Sequence, residues 1–173
     1  MQHKLLPVLF FSILLTACAT NFPNRSPEGE IFPSVKGTAL TKEAKSIPDD
    51  LPQENVLLLL GYVQNSQFDI DRWLIGLDMT KTEVAVYELP TIQGMFPRMF
   101  QTQIDNGMRK GIPKEIWGGV ITIYEDGETI QKMTGNERPN NARVLLLNQE
   151  REIIWFYDKG FSVAALNDVR SRL

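Results

Sequence analysis

The stretch VLLLLGYV, Val56–Val63, decides the fold. Its first five residues are aliphatic without a break, so no polar face alternates with an apolar one. Eight residues are too few for a buried helix with its caps, and the run reads as a central strand buried on both faces. Such a strand needs a covering layer above and another below. Downstream, Asp69 is placed to cap a helix in which Ile70, Trp73, Leu74 and Leu77 fall at i, i+3, i+4 and i+7. TEVAVYELP (82–90) is a second strand, stopped by Pro90.

FPRMFQTQIDNGMRKGIP (96–113) is a second helix, with Phe96, Met99, Phe100, Ile104 and Met108 facing inward and Gly111 and Pro113 ending it. GGVITIYEDGE (118–128) is a third strand running into an Asp-Gly turn. ARVLLLN (142–148) and EIIWFYDKG (152–160) flank Gln149-Glu150-Arg151 as a β-hairpin. Phe161–Leu173 is a closing helix with Ser162 as its cap and Leu166, Val169 and Leu173 on one face; Arg170 and Arg172 suit its negative end. The order predicts an α/β sandwich with a mixed sheet. Its first crossovers are right-handed and parallel, and the hairpin adds an antiparallel edge.

Upstream of Val56 the chain changes character. VKGTALTKEAKSIPDDLP (35–52) has room for one short strand and a turn. Residues 19–34, rich in Pro, Asn, Ser and Glu, lack periodicity and read as an extended tether. Leu5–Leu15 is an apolar run after Lys4, shorter than the ~20 residues that span a bilayer, and small residues follow it. That arrangement is a secretory signal peptide. Its end, Leu15-Thr16-Ala17-Cys18, resembles the lipobox of bacterial lipoproteins. The resemblance implies lipid on the Cys18 thiol, cleavage just before it and acylation of the new amino terminus; the alternative is an ordinary signal peptide cut near Ala17 or Ala19. Two or more acyl chains make such an anchor durable. Ala19 stands where an aspartate would hold a Gram-negative lipoprotein in the inner membrane, and for a Gram-negative source it implies the outer membrane facing the periplasm. The expected organisation is a signal peptide over 1–17, a lipidated cysteine and tether over 18–34, and one domain over 35–173.

Cys18 is the only cysteine and His3 the only histidine of 173 residues. If Cys18 carries lipid and His3 is removed, no thiol or imidazole is left. Cysteine redox chemistry, Cys-His and Ser-His-Asp hydrolysis, and zinc or copper sites built on sulfur and nitrogen are then excluded. A disulfide within the chain is impossible. The formal net charge of −3 with no basic tract argues against nucleic acid. Nothing in the pattern implies a cofactor.

The order VLLLLGYV…FDIDRWL, VAVYELP, ARVLLLNQEREIIWFYDKG and a closing helix resembles the thioredoxin-like fold in its peroxiredoxin-type form, a three-layer α/β/α sandwich, over about residues 32–173. Within it, GMRKGIP, VITIYED and TGNERPNNARVLLLNQEREIIWFYDKG resemble the thioredoxin-like assembly factor of the mitochondrial F-type ATPase. Redox-active members carry Cys-x-x-Cys or a peroxidatic cysteine between the first strand and helix. Here Tyr62-Val63-Gln64-Asn65-Ser66-Gln67-Phe68 stands there, and Ala142 falls where the usual cis-proline would be. The likeness therefore implies a redox-inactive interaction or assembly module.

Gln64, Asn65, Ser66 and Gln67 offer donors and acceptors beside a helix N-terminus, in the crevice position of α/β sheets; as turn residues they also suit plain capping. Arg109 in MRKGIP is a candidate for a carboxylate or phosphate, or a cation stabilising a helix C-terminus. Met95, Phe96, Pro97, Met99 and Phe100 are either core or an adaptable surface for a partner. Asp69 and Asp71 are weak candidates for a hard cation, and Glu88 for acid–base work. Trp73, Trp117 and Trp155 read as core. The expected partners are the membrane, through the anchor, and an unidentified envelope protein. The competing reading is a small-ligand site or a non-redox enzyme in the polar crevice.

Overall fold

The computed structural model describes residues 20–173. The expected signal peptide over 1–17 and Cys18 lie outside the described residues. In chain order the elements are β1 (Val35–Ala39), β2 (Ala44–Ile47), β3 (Val56–Gly61), α1 (Gln67–Met79), β4 (Ala85–Pro90), α2 (Met95–Met99), α3 (Gln101–Gly111), β5 (Ile121–Thr122), α4 (Gly127–Thr134), β6 (Arg143–Leu147), β7 (Ile153–Tyr157) and α5 (Val163–Arg170).

β3 is central, as its composition demands. All six of its residues are buried, and the sheet order is β4-β3-β6-β7. β4 runs parallel to β3 through the α1 crossover, whereas β6 is antiparallel to β3 and β7 to β6. Strand alternation divides the aliphatic side chains between two cores. Leu57, Leu59, Val144, Leu146 and Trp155 meet Ile70, Trp73 and Leu77 of α1 and Leu166 and Val169 of α5. Val56, Leu58, Leu60, Leu145, Leu147 and Ile153 meet Phe32, Val35, Ile47, Ile121, Ile130 and Met133. A fully buried Leu or Val contributes ~1.5–3 kcal/mol, and this one strand supplies such side chains to both cores. Trp73 closes the first core edge-on, 6.1 Å from Trp155 and 5.4 Å from Phe161 between ring centroids. Ser162 caps α5 as expected, its hydroxyl accepting from the Ala165 amide at 3.1 Å.

Several expectations are corrected. Residues 35–47 form two strands, paired as a hairpin. The third strand shrinks to β5, because a 3-10 turn over Lys114–Gly119 takes up the start of the expected run. β5 joins β1 in a second, three-stranded sheet and touches the β4 edge only through the bridges Glu88–Val120 and Thr91–Ile123. Asp126-Gly127 opens α4 rather than a reversal. A Cβ on Gly127 would stand 2.5 Å from the Ile92 carbonyl oxygen, so only glycine lets the helix start this close. The buried stripe of α4 includes Gln131 and Thr134 beside Ile130 and Met133, and those polar members hide its period.

The expected single helix over 96–113 is two, parted at Phe100. Met99 and Phe100 are exposed and Ile104 and Met108 only half-buried; the Phe96 side chain lies outside the described residues. α3 is attached by polar contacts instead: Asp105 is its one buried residue and accepts from the Tyr124 hydroxyl at 2.9 Å. Asp69 is no cap. α1 begins two residues earlier, after a 3-10 turn over Gln64–Ser66.

Residues 20–34, expected as a free tether, lie along the domain. Phe22 and Asn136 exchange two hydrogen bonds, and the Arg25 amide donates to the Thr134 carbonyl. Gly29 and Glu30 clasp Ile153 from both sides, and Phe32 is buried in the core. The reason lies in α4, which the sequence did not reveal and whose C-terminal carbonyls and Asn136 receive this strap.

Candidate functional site

Parallel β3 and β4 end at the same crest, and antiparallel β6 starts there. The crest thus gathers the Gly61–Gln67 turn, Thr91, and the loop before Arg143, the position where open α/β sheets present ligand sites. Gly61 lets α1 come close, since a Cβ there would meet the Ser66 Oγ at 2.6 Å. Ser66 is buried, its hydroxyl donating to the Val63 carbonyl at 2.6 Å. Gln64 and Asn65 face water.

Gln67 points toward β4. Its Nε2 donates to Asp71 Oδ1 at 2.9 Å and to Glu88 Oε2 at 3.4 Å. Glu88 is paired with Leu59 and is only 7% exposed. Burial pushes its carboxyl up to about 7, helped by Asp71 and opposed by the Gln67 hydrogen bond.

Asp69 is a clamp. One carboxylate oxygen accepts from the Ala142 amide at 2.9 Å and the other from the Phe161 amide at 2.7 Å. Both oxygens are thereby committed, which leaves Asp69-Ile70-Asp71 poorly suited to a cation.

On the other side of β3, Arg143 is fully buried at the start of β6. Its guanidinium lies 4.7 Å over the Tyr62 ring and donates to the carbonyls of Arg138 and Asn141 and to Asn24 Oδ1. The Tyr62 hydroxyl pairs with Thr134, and burial pushes that phenol up to about 12. Burial also lowers Arg143, opposed only in part by Tyr62 and Asp158.

Beside the α1 N-terminus a cleft of about 530 Å3 opens, bordered by Asn65, Phe68, Arg72, Asn140, Lys159 and Phe161. Two cations set against one carboxylate, Asp69, whose oxygens accept from the Ala142 and Phe161 amides, together with carboxamides and aromatic rings, suit an extended peptide with an acidic group, or a small anion. Of the residues proposed from sequence, Asn65 and Asp69 border this cleft; Ser66 and Gln67 turn inward. Arg109 is elsewhere: its Nε donates to the Leu40 carbonyl at 2.7 Å and an Nη to Asn106, fixing α3 to β1. Arg109 contacts none of Gln64, Asn65, Ser66 or Gln67. Sequence reasoning missed Arg72, Lys159, Asn140 and Arg143. Arg143 had a signal, since an arginine opening the buried run VLLL is anomalous without partners.

No protein-family model matches the chain, and no curated protein does. Solved structures do. A thiol peroxidase from Chromobacterium violaceum superposes with TM-score 0.60 at 9% identity, covering 88% of this chain and 90% of that one. A SCO1/SenC family lipoprotein from Bacillus anthracis gives 0.56 at 9%, covering 82% and 92%. The pneumococcal exposed lipoprotein thioredoxin from Streptococcus pneumoniae gives 0.55 at 8%, covering 82% and 100%. At such identities the likeness is one of fold, and the fold is thioredoxin-like.

Proposed function

We propose that this chain is a lipid-anchored envelope protein whose thioredoxin-like domain binds a protein partner and performs no thiol chemistry. The observation that carries the reading is the filled crest. Where this fold holds its cysteines, the chain places Tyr62 through Gln67, with the Ser66 hydroxyl bonded to Val63 and Tyr62 stacked under Arg143. Its single sulfhydryl, Cys18, ends the lipobox-like run. The one carboxyl beside the crest that titrates near neutrality, Glu88, is buried beneath Gln67, whereas a cleft of about 530 Å3 stands open beside it. The pattern likeness to the ATPase assembly factors suggests that the partner is a component being assembled. The two lipoproteins among the structural neighbours are in keeping with an envelope location.

A photo-crosslinking residue at Phe68, on the cleft rim and largely exposed, tests this in intact envelopes. The expected result is a discrete adduct with one other protein, weakened when Arg72 and Lys159 are both made Glu. Self-adducts only, or none, overturn the partner reading. They favour the second one, a small anionic ligand held between Arg72 and Lys159, which the size and charge of the cleft also support.

A further inference from the structure

We infer that the domain rides directly on the bilayer, with Met95 and Met99 of α2 seated in the lipid interface. The inference rests on the lipid attachment at Cys18 proposed above. Only Ala19 separates that residue from Thr20, and a residue spans at most ~3.6 Å of chain. Thr20 has no slack to give. Its carbonyl accepts from Asn136 Nδ2 at 2.8 Å, and two residues on, Phe22 is bonded to Asn136 at both its amide and its carbonyl. The strap that was expected to be a spacer therefore holds the domain within about two residues of the acyl chains.

The same hydrogen bonds fix which end faces the lipid. Asn136 Nδ2 also donates to Gln131 Oε1 at 2.8 Å, and Gln131 Nε2 donates to the Thr91 carbonyl at 3.1 Å. Thr20 and Thr91 thus stand at one end of the molecule, the crest. α2 begins four residues after Thr91. Met95 and Met99, four apart and so on one helical face, are 78% and 71% exposed. Arg98 lies between them, loosely set against Glu125 at 3.8 Å. Two unbranched, polarizable apolar side chains with a neighbouring cation suit the boundary of headgroups and acyl chains. Two methionines are too little area to hold a domain on a membrane alone. With an anchor only two residues beyond Thr20, at the same end of the domain, their local concentration at the lipid is high and a weak contact becomes a persistent one. The crest cleft then opens beside the membrane, so a partner segment reaches it along the membrane surface.

The test uses the full chain, lipidated in cells and reconstituted into vesicles of phosphatidylethanolamine and phosphatidylglycerol. With Cys18 acylated, a new cysteine is the only free thiol. Met99→Cys and, as a control at the far end of α1, Met79→Cys (Met79 is itself 78% exposed) each carry an environment-sensitive fluorophore. A lipid-borne quencher is expected to quench the label at 99 at least twofold more than the label at 79. Ten Gly/Ser residues inserted between Ala19 and Thr20 should reduce that difference. Acylated, vesicle-bound protein whose two labels are equally reached by iodide from water overturns the inference while leaving the anchor intact. Energy transfer between labels at 99 at low surface density assigns the patch to a second copy and also overturns it. Mass spectrometry of the same sample reads residue 18: absence of acyl chains overturns the anchored reading and this one with it.

Discussion

Glu88→Gln should stabilise the protein at neutral pH. Glu88 sits inside the sheet under α1, with Gln67 as its one hydrogen-bond donor and Asp71 close by. Its carboxyl moves from an ordinary 4.5 to about 7 on folding. The folded state therefore holds this proton more tightly than the unfolded chain. The associated stability is fully present below about pH 4.5 and is lost as the pH rises through about 7. At 1.36 kcal/mol per unit, the ionised side chain costs about 3 kcal/mol above that window. Glutamine has the same shape, cannot ionise, and its amide oxygen accepts from Gln67 as the carboxyl does. Urea melts of both proteins between pH 4 and 8 separate this group from all others, because the rest of the titration cancels in the difference. The two curves should coincide near pH 4.5 and diverge with rising pH, the variant ending about 3 kcal/mol more stable. Parallel curves, or a variant less stable at pH 8, would refute the assignment of a buried, proton-holding carboxyl.

Three other expectations concern the crest, the strap and the anchor. Asp69→Ala leaves the amides of Ala142 and Phe161 without their acceptor. At ~1–3 kcal/mol for each buried donor left unpaired, urea denaturation should show a loss of about 3 kcal/mol. Gly135→Ala puts a side chain at φ +77° and 2.2 Å from the Asn24 Cα. Amide exchange at Phe22 and Arg25 should rise at least tenfold while β3 stays protected; equal protection of the strap would show it is held some other way. Cys18→Ser should abolish incorporation of labelled fatty acid and leave the precursor uncleaved, and a labelled mature product from that variant would remove the anchor.

The central strand, the β3–α1–β4 crossover, the β6–β7 hairpin and capped α5 were legible because each has one strong local signal: an unbroken aliphatic run, a 3.6-residue stripe, a turn, a serine cap. Elements without such a signal were misread. α4 buries Gln131 and Thr134 against Thr91 and Tyr62, so half of its inward face is polar. α2–α3 has apolar residues at helical spacing that tertiary structure leaves outside, because Asp105 and Arg109 attach the segment through polar contacts. The strap, with no periodicity of its own, takes its conformation from Asn136, Thr134 and Ile153. In the site, composition located the crest and the missing thiols. It did not reveal that Ser66 and Gln67 turn inward, or that Arg72 and Lys159 meet across a cleft from separate elements.

The arrangement of the crest separates what holds the cleft together from what lines it. With one cysteine, the chain cannot staple its crest loops by a disulfide. Buried polar groups do that work from three sides: Asp69 ties α1 to the loops before β6 and α5, Arg143 ties β6 to the Arg138–Asn141 loop and to Asn24, and Gln131 with Asn136 ties α4 to Thr91 and Thr20. Each is committed to backbone or strap atoms, so substituting it lowers stability before it alters recognition. Phe68, Arg72 and Lys159, by contrast, border the cleft without belonging to those three ties. If the proposed partner binds at this cleft, a substitution at the rim changes its capture at unchanged stability, whereas a substitution at a tie changes both.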